Sequence, residues 1–180
     1  NKGYSAAWDQ QWDRAAAFYR QALEEMPDHP QALTSLGLAL IELQEFDEAL
    51  QCYLRAAKVL PDDPMPMDKV AQLYERTGNL DRAVQASLRA ADLYLKGRDV
   101  TKAMECWERA ARLDPENLTA HGRLAMIYER LGDKTQAVNE YLAIAGLLQG
   151  TGDNARAMEA VQRALTILPE SKEAQQALAY

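Results

Sequence analysis

The sequence predicts an all-α fold of short antiparallel helices, and three observations carry that prediction. The 180 residues are 48% apolar with only nine Gly and seven Pro. Alanine, leucine, glutamate, glutamine and arginine predominate, all good helix formers, and no stretch rich in Val, Ile and Thr offers a strand a start. Apolar residues recur three and four apart, the period of a helix with one buried face. Above this runs a longer beat, in which a polar turn followed by alanine keeps returning.

The marker reads QQWDRA at Ala15, QEFDEA at Ala49, GNLDRA at Ala83, RDVTKA at Ala103, GDKTQA at Ala137 and GDNARA at Ala157. Its intervals are 34, 34, 20, 34 and 20 residues. Pro27, Pro61, Pro115 and Pro169 follow four of the six markers. The two without a proline, at Ala83 and Ala137, are those that precede the short interval. The later part therefore has a period of 54 residues. Laid over 118–171, residues 64–117 are identical at 18 of 54 positions, and LYERTGNLDRAV falls on IYERLGDKTQAV. Each such block holds three helices in place of two.

Taken in order, a partial helix over 3–9 carries Tyr4 and Trp8. The helix over 12–25 contains the first marker and stops before Pro27. The helix over 30–43 begins at Pro30, which suits a first helical turn, and sets Leu33, Leu36, Gly37 and Leu40 on one face. The helix over 46–59 aligns Ala49, Tyr53 and Ala56 and is stopped by Pro61. Pro64 introduces 65–77. Asn79, Asp99, Asp133 and Asp153 stand where N-caps are wanted, ahead of 80–96, 99–113, 134–149 and 153–167. The helix over 118–131 places His121 in a large core slot, and 172–180 is a partial last helix. His29, in PDHP, reads as an exposed loop residue.

The helix over 80–96 stands out. At about 100° per residue, its polar residues Asp81, Arg82, Gln85, Arg89, Asp92 and Lys96 are confined to an arc between about 100° and 200°. A surface helix needs an apolar stripe only somewhat wider than about 100°, and this one has roughly twice that. It is expected to be buried between two neighbours. Its counterpart over 134–149 is also unusually apolar.

Residues 30–63 resemble the tetratricopeptide repeat, a 34-residue helix–turn–helix unit. Leu33, Leu36-Gly37, Leu40, Ala49, Tyr53, Ala56 and Pro61 take the positions of its pattern, with leucine at the two first-helix aromatic slots. The physical logic agrees, since small residues let two helices approach while larger ones fill the gaps. One such pair cannot bury its own apolar face and must stack on others. The resemblance implies a right-handed α-solenoid, a superhelix of antiparallel helix–turn–helix repeats. Residues 1–180 then form one array: a partial repeat at 1–29, a complete one at 30–63, three-helix blocks at 64–117 and 118–171, and a terminal helix at 172–180.

It also implies a concave groove, lined by the first helices, that holds a peptide or helix of a partner protein. The groove positions fall on Thr34, Leu38, Ile41 and Glu42, then Asp68, Gln72, Glu75 and Arg76, then Arg123, Met126, Glu129 and Arg130. Tyr4 and Trp8 take such positions in the first, partial repeat, while Trp12 and Trp107 read as structural. One subclass clamps C-terminal carboxylates with lysine and asparagine, but Thr34 and Leu38 stand there instead. Leu38, Ile41 and Met126 beside charged groups point to an amphipathic ligand, methionine adding adaptability.

Other classes find little support. A formal charge of −7 opposes binding to nucleic acid, which needs a basic face. No apolar run approaches the roughly 20 residues of a membrane span, and NKGYSAAWDQQW lacks the apolar core of a signal peptide. Cys52 and Cys106 read as buried thiols, which suits the reducing cytoplasm. Two scattered histidines and two cysteines give no zinc spacing, and GTGDN at 150–154 reads as a helix–helix turn, not a phosphate loop. No metal, cofactor or catalytic residue is expected. The leading expectation is a non-catalytic interaction scaffold. The alternatives are a regulatory region of a larger enzyme or sensor, and self-association through apolar solenoid ends.

Overall fold

The computed structural model describes residues 11–178. The predicted helix at 3–9, with Tyr4 and Trp8, lies outside the described residues. Among those described the chain is all α, with ten helices: α1 (Trp12–Glu25), α2 (Pro30–Glu42), α3 (Phe46–Val59), α4 (Pro64–Arg76), α5 (Leu80–Lys96), α6 (Val100–Leu113), α7 (Leu118–Leu131), α8 (Lys134–Gly150), α9 (Asn154–Ile167) and α10 (Lys172–Leu178). The expected boundaries hold to within a residue or so, the margin by which helix ends fray.

Two kinds of turn join them, and each has a local cause. The turns after α2, α4, α5, α7 and α8 each contain one left-handed residue: Gln44, Gly78, Arg98, Gly132 and Gly152, with φ of 63°, 79°, 64°, 79° and 81°. The next amide then reaches back five residues, as from Glu45 to Leu40 (2.8 Å), Asn79 to Tyr74 (2.8 Å) and Asp99 to Tyr94 (2.9 Å). This satisfies carbonyls that the helix end would otherwise leave bare. The turns after α1, α3, α6 and α9 instead contain Pro27, Pro61, Pro115 and Pro169, which cannot continue a helix. α5 and α8, the two 17-residue helices, are thus entered and left through left-handed turns.

Capping is more selective than the sequence suggests. Asp133 and Asp153 accept from the amides of Gln136 (3.1 Å) and Arg156 (3.2 Å). Asn79 does not cap: its amide group donates to Thr77 Oγ1 at 3.3 Å instead. His29, expected as an exposed loop residue, is half-buried and caps α2, its Nδ1 accepting from Ala32 at 3.2 Å. Asp63 and Asn117 also cap, toward Met65 and Ala120.

The helices divide into two compact units, one ending at Asp99 and the other beginning at Val100. In the first, α1 to α5 each pack on the next in sequence. α2 packs on α3 with Leu33, Leu36 and Leu40 of the one and Tyr53 and the alanines of the other all buried, and Val70 and Leu73 of α4 are buried likewise. A leucine or valine so placed contributes about 1.5–3 kcal/mol of burial. α5 packs on α4 and buries Ala83, Val84, Ala86, Ser87, Ala90, Ala91 and Tyr94.

In the second unit α6 packs on α7, α7 on α8, α8 on α9 and α9 on α10. α6 supplies buried Ala103, Cys106, Trp107 and Ala110. α8 is gripped from both sides, its Val138 and Ala145 joining Ala160, Val161 and Ala164 of α9 and Ala174 of α10 in apolar clusters. Its near-continuous apolarity follows from having a neighbour on each flank.

Candidate functional site

The first helices of the family pattern present the outward positions, and in the first unit these lie on α2 and α4. On α2, Leu38 is 44% exposed, beside half-buried Thr34 and Ile41 and exposed Glu42. Thr34 turns its hydroxyl onto its own helix, donating to the Gln31 carbonyl at 3.2 Å. On α4 a polar chain runs along the helix: Lys69 donates to Gln72 (3.2 Å), Gln72 to Asp68 (3.2 Å), and Tyr94 of α5 to Asp68 (3.4 Å). Arg76 is occupied otherwise, its guanidinium 4.4 Å from the centre of the Phe46 ring on α3. That contact ties α4 to α3 by a cation–π attraction. Glu75 is half-buried.

In the second unit α7 is the equivalent helix. Met126 is 58% exposed, and Arg123 and Arg130 are exposed on the same face. Among the described residues neither arginine has an ion-pair partner. Glu129 does not share their freedom. Arg163 of α9 forms an ion pair with it, and Tyr141 of α8 donates to it at 3.2 Å. Burial raises the Tyr141 pKa, and Glu129 beside Arg163 raises that of the guanidinium. Glu129 thus fastens α7 to α8 and α9.

Other polar groups are likewise structural. His121 is half-buried, with Nδ1 at 2.6 Å from Glu140 of α8 and Nε2 at 3.0 Å from the Pro115 carbonyl. Tyr128 donates to Glu108 at 2.7 Å, and burial with that carboxylate raises its pKa far above the ordinary value. Arg20 of α1 donates to Glu48 and Glu45 near α3, at 2.7 and 3.1 Å. Its hydrogen bond holds the Glu48 carboxyl below the usual range.

Two features lay beyond the sequence pattern. An open depression of about 310 Å³ lies between α1, α2 and α3, lined by Arg20, Glu48 and Arg55 with Leu36 and Cys52 beneath. The second is Gly122, which takes on α7 the register position of Thr34 and Asp68. A Cβ built on it meets nothing within 4 Å. Its only signal in the sequence is a glycine inside a predicted helix.

Among the described residues no group of three or more His, Cys, Asp or Glu gathers as a metal site. Nor is any described helix long and apolar enough to cross a membrane. Cys52 and Cys106 are buried thiols outside any disulfide, and burial pushes the Cys52 thiol up to about 11.

Comparison with solved structures gives the same architecture. A crystal structure of MamA aligns with 100% of this chain and 98% of its own, at 16% identity and a TM-score of 0.50. PcrH, solved with the chaperone-binding region of PopD, aligns with 62% of this chain and 84% of its own, at 19% identity and a TM-score of 0.57. The TPR2B domain of yeast Sti1, solved in a pHsp70 complex, aligns with 64% and 93%, at 16% identity and a TM-score of 0.57. No curated protein sequence matches the chain. Tetratricopeptide-repeat sequence patterns match residues 9–65 and again residues 88–150. The second match starts within α5 and ends at the last residue of α8, so the 34-residue interval from Ala103 to Ala137 falls inside the pattern. Helix pairs closed by left-handed turns, small residues where helices meet and these two matches make the chain a member of the tetratricopeptide-repeat family.

Proposed function

We propose that the chain is a non-catalytic scaffold that holds a protein segment against the outward faces of its first helices. The observation that carries this reading is a repeated exposure. Leu38 and Met126 occupy the same register position of α2 and α7, and both stand out from polar faces. A single exposed apolar residue on a surface is ordinary, but the same slot used in each unit marks a contact position on each. PcrH and the TPR2B domain of Sti1, whose fold this chain shares, were solved in complexes with the chaperone-binding region of PopD and with pHsp70. The contact residues proposed are Thr34, Leu38, Ile41, Glu42, Asp68, Gln72, Arg123, Met126 and Arg130. Glu75, Arg76 and Glu129 complete the proposed set, Arg76 and Glu129 also tying their helices to neighbours, and Tyr4 and Trp8 join it from the sequence pattern alone. Two buried cysteines outside any disulfide favour the cytoplasm as its compartment.

The test places a photo-crosslinking amino acid at position 38 or 126 and, as a control, at exposed Glu159 of α9. Crosslinks to one protein from 38 and 126 and not from 159 are expected, with Leu38→Glu and Met126→Glu weakening capture. Capture indifferent to both substitutions would sink the assignment.

A further inference from the structure

α7 holds two features that its own packing leaves unexplained. The first is Gly122 in the interior of the helix. Glycine weakens a helix interior relative to alanine, and natural helices tolerate it where something must come close. At Gly37 that something is in the structure, since an added Cβ would lie 2.6 Å from the Tyr53 ring. At Gly122 the space beyond the missing Cβ is open. The second feature is charge. Arg123 and Arg130 flank Met126 on the same face, with no ion-pair partner among the described residues. The carboxylate beside them, on Glu129, is drawn away by Arg163 and Tyr141. A chain of net charge −7 thus presents a cationic face around a polarisable apolar residue and a dent in the backbone.

We infer that α7 docks an acidic amphipathic helix, crossing at Gly122, with carboxylates that meet Arg123 and Arg130 and an apolar side chain on Met126. The two arginines stand seven residues apart, about 10.5 Å along the axis at 1.5 Å per residue. A partner helix matches this with Asp or Glu at i and i+7 and an apolar residue at i+3 or i+4. Charge complementarity selects this occupant, and the open glycine permits the close approach that a helix needs. The inference rests on the proposed scaffold role and names the chemistry of the partner on one of its faces.

Three synthetic helical peptides of one design, with Glu, Gln or Lys at i and i+7, are titrated against the full chain by fluorescence anisotropy. The Glu peptide is expected to bind, with the Lys peptide at least tenfold weaker. Arg123→Gln with Arg130→Gln should cost the Glu peptide about tenfold, the sum of two exposed pairs, and leave the Gln peptide nearly unmoved. Higher salt should narrow the gap between the peptides. Gly122→Ala should leave the folded chain as stable or more so and weaken all three peptides severalfold. Equal binding of the Glu and Lys peptides overturns the charge assignment, and unchanged binding by Gly122→Ala overturns the close approach. Light scattering that shows a dimer dispersed by the arginine substitutions makes a second copy the occupant and also overturns it. Leu38 crosslinks to a defined partner, with no binding of the Glu peptide, would leave the scaffold reading standing and remove only this inference.

Discussion

At Gly37 an added methyl would sit 2.6 Å from Cε2 and 2.9 Å from Cζ of Tyr53, a ring that is itself buried. Neither can yield, so Gly37→Ala is expected to destabilise the chain by about 1–3 kcal/mol through overpacking, read from urea unfolding. Gln44 presents the opposite case. It holds a left-handed φ of 63°, a conformation that costs an L side chain about 1–2 kcal/mol. Gln44→Gly should therefore raise the melting temperature, by a gain of about 1 kcal/mol. The same turn at Gly78, Gly132 and Gly152 was legible from glycine alone, whereas at Gln44 and Arg98 only the spacing gave it away. A third prediction concerns pH. Burial raises the Cys52 thiol from its ordinary 9.0 to about 11 and the Tyr53 hydroxyl from 10.0 to about 12. Both are neutral in the folded chain at pH values where the unfolded chain ionises. Their stabilising effect is full below about pH 9 and is lost as pH rises through the raised values. Unfolding free energy measured from pH 8 to 11.5 should fall, and less steeply in Cys52→Ala.

Among the elements, α8 illustrates how packing follows pattern. It is apolar on nearly every side because α7 and α9 flank it and α10 touches it. Its backbone hydrogen bonds should open only when several helices let go together, whereas α10, seven residues long, has one principal neighbour. Hydrogen exchange is expected to show the central amides of α8 among the slowest of the second unit and those of α10 among the fastest. Slower exchange in α10 than in α8 would contradict the packing order. The order of turns, two left-handed ones around α5 and again around α8, explains the short step in the alanine beat. A proline turn is omitted, so one helix and its turn advance the chain by 20 residues and not by a whole repeat.

On the scale of the whole molecule, charge is the dominant long-range property. With 27 acidic and 20 basic side chains, the chain has no excess of cations to release counterions from a duplex. No retardation of a 30-base-pair DNA is expected in gel-shift titration at about 0.1 M salt, where the Debye length is ~10 Å. Retardation there would show that local cationic faces such as that of α7 outweigh the net charge. Relatedness also reads differently at this scale. Identities of 16% to 19% accompany a shared fold, because the family pattern constrains a few packing positions per repeat and leaves the outward ones free. Under the proposed scaffold role, those free positions are where a partner is chosen.

The sequence by itself determined the helices, their ends and the 34 and 20 spacing, since each depends on residues within one or two turns of one another: a 3.6-residue period, a proline, a glycine that accepts positive φ. It also nominated the outward positions as a row. Only the tertiary structure decided which of them are free. Arg76 is drawn onto Phe46, and Glu129 is held by Arg163, 34 residues away, while Arg123, Met126 and Arg130 stand clear. No local pattern contains that outcome, because it depends on how far side chains reach between helices distant in sequence.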